Sequence, residues 1–293
     1  MGKVLLIGKN GQVGWELVRT CSTLGEVVAV DFPEVDLAKP AELRDMIRSV
    51  KPTVLINAAA YTDVDKAESE PELARTINAL APEVMAEEIR KLKGVFVHYS
   101  TDYVFDGKKN NPYIEADIPT PLNVYGASKL EGEKMVQAAG GAYLIFRTSW
   151  VYSLRRPSFV TKVLEWTKIK KELRIVDDQI SSPTWARTLA EATAQVLAQG
   201  FNNGFETLAG KFGLYHLTSA GHASRYEWAK AILELDPHPE EQVTHKLAPA
   251  RSDEFPTPAM RPHFSALECS SFEAIFHLQP VPWKEALALA LGG

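Results

Sequence analysis

The stretch VLLIGKNGQVGWELVRT, residues 4 to 20, constrains the fold more than any other part of this 293-residue chain. Four apolar residues suited to a buried strand run into glycines at 8, 11 and 14, where a helical pattern begins. A strand that enters a helix through glycines is how a doubly wound α/β sheet opens. With 18 glycines in the chain, about 0.07 triplets of that spacing are expected by chance. Gly8 and Gly11 lack the Cβ atoms that would block a pyrophosphate, so the amides of Asn10, Gly11, Gln12 and Val13, with Gly14 behind them, are free to face an anion. A tight turn with close helix packing is the plainer reading of the same glycines.

Further short β-branched runs follow: EVVAV at 26–30, TVLIN at 53–57, VFVHYS at 95–100 and YLIFRTS at 143–149. Helical patterns at 12–23, 41–50, 71–93 and 124–139 lie between them. The alternation implies an α/β protein, a Rossmann-type doubly wound parallel sheet with helices on both faces. After residue 150 the regularity gives way to proline-rich punctuation such as SSPTW and FPTPAMRP. Residues 1–150 are therefore read as a dinucleotide-binding Rossmann domain and 151–293 as mainly a smaller, loop-rich substrate-binding lobe. Segments near 173–200 and 213–219 are expected to return to the first domain.

Composition removes several function classes. A net charge of −5 gives no basic footprint for a nucleic-acid polymer, although a single nucleotide remains an option. The two cysteines, Cys21 and Cys269, stand far apart in no metal-like spacing, and no metal ligand set is assigned. No run of 18 apolar residues occurs and the N-terminus is too short in apolar residues for a leader, so the expectation is a cytoplasmic protein with no membrane partner.

Asp31 ends the second strand, where an acidic residue accepts hydrogen bonds from an adenosine ribose and repels a 2′-phosphate; that favours NADH or dual use. Asp36 and Leu37 are candidates for the adenine edge. Ala58, Ala59 and Ala60 offer small side chains where a flat cofactor could lie, and the same wall is extended to Tyr61 and Thr62.

Two YxxxK patterns occur, YGASK at 125–129 and YEWAK at 226–230, and composition alone supplies roughly 0.6 of one. What separates them is context. The fourth strand ends in Ser100, Thr101 and Asp102, hydroxyls and a carboxylate at the sheet edge where open α/β folds bind ligands, and the helix of Tyr125 and Lys129 begins about 25 residues later. Tyr226 and Lys230 follow no such strand end, and the neighbouring Trp228 and Ile232 suggest simple packing.

Together these motifs resemble the extended short-chain dehydrogenase/reductase family. STDYVFDG, PLNVYGASKLEGE, FRTSWVY, DDQISSPT and RPHFSAL are similar, in order, to blocks of its dTDP-4-dehydrorhamnose reductase branch. The resemblance implies reduction of the C4 keto group of dTDP-4-dehydro-L-rhamnose by NADPH or NADH, giving dTDP-L-rhamnose, in a monomer or homodimer. It makes Tyr125 the proton donor, Lys129 the holder of the ribose hydroxyls that lowers the tyrosine pKa, and Thr101 a hydroxyl partner of the substrate oxygen. It adds Trp150 as an aromatic wall for the nucleotide sugar, Asp102 and Tyr103 as pocket residues, and Arg261 as a cation for the diphosphate. One departure stands out: SLRRPSF at 153–159 replaces a glycine- and asparagine-containing loop, and Arg155 and Arg156 are expected to face the substrate entrance. A 4-epimerase, a 4,6-dehydratase and a non-catalytic regulatory subunit resembling that of methionine adenosyltransferase are the alternatives. The dehydratase is disfavoured because Tyr103, not a carboxylate, follows Asp102.

Overall fold

The computed structural model describes residues 2–292. In chain order its elements are β1 (Lys3–Ile7), α1 (Gln12–Thr20), β2 (Glu26–Val30), α2 (Pro40–Val50), β3 (Val54–Asn57), α3 (Val64–Ala67), α4 (Pro71–Arg75), α5 (Ala81–Lys91), β4 (Val95–Thr101), α6 (Val124–Ala139) and β5 (Ala142–Thr148). The second half adds β6 (Val151–Tyr152), α7 (Phe159–Ile169), β7 (Glu172–Val176), β8 (Ile180–Ser181), β9 (Thr184–Trp185), α8 (Ala186–Asn203), β10 (Gly213–His216), β11 (Ala223–Ser224), α9 (Arg225–Glu234), β12 (Lys246–Ala250), α10 (Ser270–Phe276) and α11 (Trp283–Gly292).

Six strands form one all-parallel sheet in the order β10-β5-β4-β3-β1-β2. Alternation along β1 explains its two covered faces. Val4 and Leu6 join Leu17 of α1 and Leu189 and Leu197 of α8 on one side, while Leu5 and Ile7 meet Leu43 and Ile47 of α2 and Met85 and Ile89 of α5 on the other. All are essentially inaccessible to water, and each such burial is worth about 1.5–3 kcal/mol relative to exposure. The strand order reverses between β1 and β3, so a ligand crevice is expected where those two strands end.

Pro40 and Pro71 occupy first helical positions, where a missing N–H costs nothing. The expected single helix at 71–93 is instead interrupted by a π-helical turn, Thr76–Leu80, between α4 and α5. Residues 213–216 sit in the main sheet as β10, paired with Leu144 to Arg147, and α8 packs on α1, with Thr20 Oγ1 donating to Ala190 O. Leu173–Val176 does not return there. As β7 it pairs with β12, because Glu172 and Arg174 alternate outward and leave only one apolar face. This ribbon shares an outer core with α7, α9 and α11 around Trp228. No described helix is long and apolar enough to cross a membrane.

Candidate active site

A cleft of about 750 Å³ opens where β1, β3 and β4 end. At one end the glycine turn forms its floor. Gly8 has φ +96°, and a Cβ there would lie 2.7 Å from the Ala59 amide nitrogen; a Cβ on Gly14 would meet Gly8 O at 1.9 Å. The turn therefore tolerates no side chain at either point, and helix and loop approach as closely as backbone allows. Gly11 caps α1 without a side-chain hydrogen bond, which leaves the first amides of the helix to a ligand. The buried Oε1 of Gln12 has no protein partner either. This cradle fits a dinucleotide pyrophosphate.

Gly8, Gly11, Gln12, Val13 and Asp31 line this end, and Ala58, Ala59, Ala60 and Thr62 continue the wall past β3. Asp31 also organises the turn: its carboxylate accepts from the Asn10 amide at 2.8 Å and the Phe32 amide at 2.8 Å. Three candidates have side chains engaged by the protein itself. Asp36 caps the Ala38 amide at 2.9 Å, Leu37 is buried in the core beside α2, and Tyr61 sends its phenol to Glu70 at 2.7 Å. The backbone of Tyr61 is instead a brace: Asn78, from the π turn, accepts from its amide, donates to its carbonyl and donates to Ser128 Oγ on α6. The π turn thus ties the cofactor wall to the helix of Tyr125.

The divergent 153–159 loop lies on the cofactor side. Arg155 stacks its guanidinium 3.6 Å over Trp15 of α1, and Arg156 donates to Asn10 O at 2.8 Å at the glycine end of the cleft. Arg156 lines the same cleft as Trp150, and Gln12 Nε2, donating to Val151 O, joins the start of the loop to α1.

At the other end Ser100, Thr101, Tyr125 and Lys129 converge. Asn123 caps α6 by accepting from the Gly126 amide at 2.8 Å, which sets Tyr125 in the first turn above the end of β4. Thr101 and Tyr125 line the cleft together, and burial pushes the phenol above its usual range, with Thr101 opposing. Lys129 is 2% exposed, donates to Tyr99 O at 2.6 Å and lies 3.4 Å from His98 Nε2. Burial brings its pKa down to about 8, with Glu133 opposing. The expected lowering of the tyrosine by the lysine therefore does not dominate: desolvation does, and Tyr125 stays a neutral phenol. Ser100 Oγ is spoken for by Glu133, itself in a buried ion pair with Arg147.

Asp102 is buried at the floor. Its oxygens accept from Thr101 at 3.1 Å, Ser181 at 2.9 Å and Ser265 at 2.5 Å, while burial raises its pKa to about 6. Tyr103 meets Tyr125 edge-on at 5.9 Å, and Trp150, with φ +41°, forms the opposite wall. So bulky a residue with positive φ marks a strained, constrained position. Arg261 is withdrawn from the cleft by a fork of two 2.8 Å bonds to Asp65 of α3.

Comparison with known proteins settles the family. The chain matches the RmlD substrate binding domain family over residues 2–292. A dTDP-4-dehydrorhamnose reductase of Burkholderia thailandensis is 42% identical over 99% of this chain and 98% of the relative. The Escherichia coli reductase of that name is 40% identical over 96% and 94%. The chain belongs to the dTDP-4-dehydrorhamnose reductase family. Among solved structures, the family's Bacillus anthracis reductase in complex with NADP superimposes with TM-score 0.88 at 30% identity, covering 99% of this chain and 98% of that one. A UDP-glucose 4-epimerase of Thermus thermophilus shares the fold at 20% identity, with TM-score 0.80 and coverage of 99% and 98%.

Within this reductase family frame, sequence reasoning missed the supports of the site. Ser181 and Ser265 lie inside DDQISSPT and RPHFSAL, and those blocks could have suggested two hydroxyls for one carboxylate. Asn78 gave no signal, since a π turn is not legible in a helical pattern. Nor did Arg225, whose guanidinium lies 3.6 Å over Trp150.

Proposed function

We propose that the protein reduces the C4 keto group of dTDP-4-dehydro-L-rhamnose to dTDP-L-rhamnose with NAD(P)H, in nucleotide-sugar biosynthesis. One observation carries the reading: the Tyr125 phenol, the strand-end Thr101 and Lys129 line the same cleft as the glycine cradle at the start of α1. Gly8, Gly11, Gln12 and Val13 would hold the pyrophosphate of the cofactor, Asp31 the adenosine ribose, and Lys129 the ribose beside the reaction centre. The nicotinamide, when bound, supplies the hydride. Tyr125 Oη donates its proton to the carbonyl oxygen as charge develops there, and the Thr101 hydroxyl supports that oxygen. A well-placed donor of this kind is worth on the order of 3 kcal/mol in the transition state. A phenol is protonated at neutral pH and burial shifts it further that way, so the donor is ready before the hydride moves. Residues 1–150 supply the cofactor side together with Trp150, and the later segments supply the hydroxyls of Ser181 and Ser265 that fix Asp102.

The test is direct. With the keto-sugar generated in situ by the preceding enzymes, NADH and NADPH absorbance is followed separately. Stoichiometric cofactor oxidation is expected. An unchanged cofactor level with a new C4 epimer would identify an epimerase instead, and no reaction with either cofactor would discard the reading.

A further inference from the structure

A cation without a carboxylate partner stands beside the reaction centre. Arg225 is the first residue of α9, directly after Ser224, which caps the helix. Its guanidinium carbon lies 3.6 Å over the Trp150 ring, 4.9 Å from the Phe159 centroid and 5.4 Å from that of Trp228. Among the described residues no Asp or Glu forms an ion pair with it. The carboxylate among its main electrostatic neighbours is Asp102, whose oxygens already accept from Thr101, Ser181 and Ser265.

Two features make the position unusual. A positive side chain in the first turn opposes the helix dipole, which favours an anion there. Enclosure by aromatic rings also makes the charge costly, pulling the pKa down to about 10, so it remains a cation at neutral pH. The rings hold the guanidinium in place by cation–π attraction without neutralising it, and Tyr103 is its polar neighbour on the cleft side. Arg261 is the opposite case, because its fork already closes on Asp65.

The location decides which anion fits. Trp150 and Tyr103 line the cleft of Thr101 and Tyr125, whereas Arg225 and Phe159 line a neighbouring cavity of about 570 Å³ with Trp166, Leu173 and Ile175. Arg225 lines the cavity and stacks on Trp150, which lines the cleft, so the two spaces adjoin at this pair. A nucleotide sugar has that order of parts: a sugar, a diphosphate that prefers a planar bidentate donor, and a nucleoside with a flat face.

We propose that Arg225, and not Arg261, binds the diphosphate of the nucleotide-sugar substrate, with the nucleoside directed into the apolar cavity beyond it. This rests on the functional reading above. Loss of the anchor acts equally on ground and transition states, so it raises KM and spares kcat.

The test uses binding as well as turnover. Affinities for dTDP, thymidine and NADPH are measured by calorimetry for the parent protein, Arg225→Gln, Arg225→Lys and Arg261→Gln, with circular dichroism and Tm to establish folding. Arg225→Gln should raise the Kd for dTDP about 10- to 100-fold. Thymidine and NADPH should change little, and Arg225→Lys should recover part of the loss. If Arg225→Gln binds dTDP like the parent, if it weakens NADPH as much as dTDP, or if Arg261→Gln shows the larger loss, the assignment falls. If the parent binds dTDP and only the Arg225 effect is missing, the substrate reading stands without this residue. A parent that does not bind dTDP overturns both. Should Arg225→Gln fail to fold, the folded Arg225→Lys variant decides: unchanged dTDP affinity with Arg261→Gln weakened would overturn the proposal, and a selective dTDP loss would support it.

Discussion

Tyr125 and Tyr226 occupy the same place in their helices, the second residue of α6 and of α9, and each has a lysine four residues on. Local structure cannot tell them apart. What differs is the ground beneath the helix. Under α6 lies the end of β4, so Lys129 is buried and hydrogen-bonded to Tyr99 O, and Tyr125 lines one cleft with Thr101. Under α9 lies the outer core around Trp228, and Lys230 is left 62% exposed on the far side, 3.9 Å from Glu234. The same spacing becomes a reaction centre or a solvated helix face according to which strand end it meets.

The sharpest way to break this comparison is Tyr125→Phe. It removes one hydroxyl and keeps the ring, and a fall in kcat of about 10²- to 10⁴-fold is expected, with cofactor affinity preserved. Turnover near the parent rate would show that another group donates the proton. Next is Lys129→Met, which leaves Tyr99 O without its donor and takes a charged hydrogen bond from the cofactor. NADPH Kd, read by fluorescence titration, should rise about 10- to 100-fold. An unaltered Kd would assign the lysine to structure alone.

Asp102 sharpens the comparison through pH, since α9 has no counterpart to this buried carboxylate. Its folded pKa of about 6 lies above the unfolded value near 3.8. Between those values the native state binds more protons than the unfolded one, so the Asp102 contribution to stability falls as pH rises from about 4 to 6. Relative to Asp102→Asn, the parent should lose up to about 3 kcal/mol across that window in urea titrations. A constant difference would mean the three hydroxyls compensate the burial completely. The smallest effects belong to Tyr226→Phe and Lys230→Met, both expected within about threefold of the parent in kcat and KM, since the exposed 3.9 Å pair is worth little. A large loss there would overturn the site assignment.

Much of this was legible because the fold's signals are local. Strand runs, proline at first helical positions and the glycine triplet each act within a few residues, and the 124–139 helix falls where its pattern places it. The strand-end hydroxyls and the first YxxxK were readable as types in order. Longer-range physics was not. The pairing of Arg261 with Asp65 spans nearly two hundred residues, and no local motif announces it. The burial of the Leu37 side chain in the core and the bond from the Ala38 amide to Asp36 are tertiary and turn details that position in the sequence does not show. The tyrosine pKa shows the same limit, because charge proximity suggests a lowered value and only burial reveals that desolvation wins.

The sheet's last strand bears on how the chain is made. β10 covers the edge of β5, yet Gly213 is translated well after Thr148, with the whole of α7 and α8 in between. At ribosomal speed that interval is on the order of several seconds, during which β5 presents an unpaired edge. Among the described residues β10 is the strand that pairs with this edge, so the six-stranded sheet is completed only after residues 213–216 have emerged. Ribosome-bound chains ending before residue 213 should therefore be cleaved by protease in 142–148 far faster than chains extended past residue 216. Equal resistance would mean that some other segment guards the edge during synthesis.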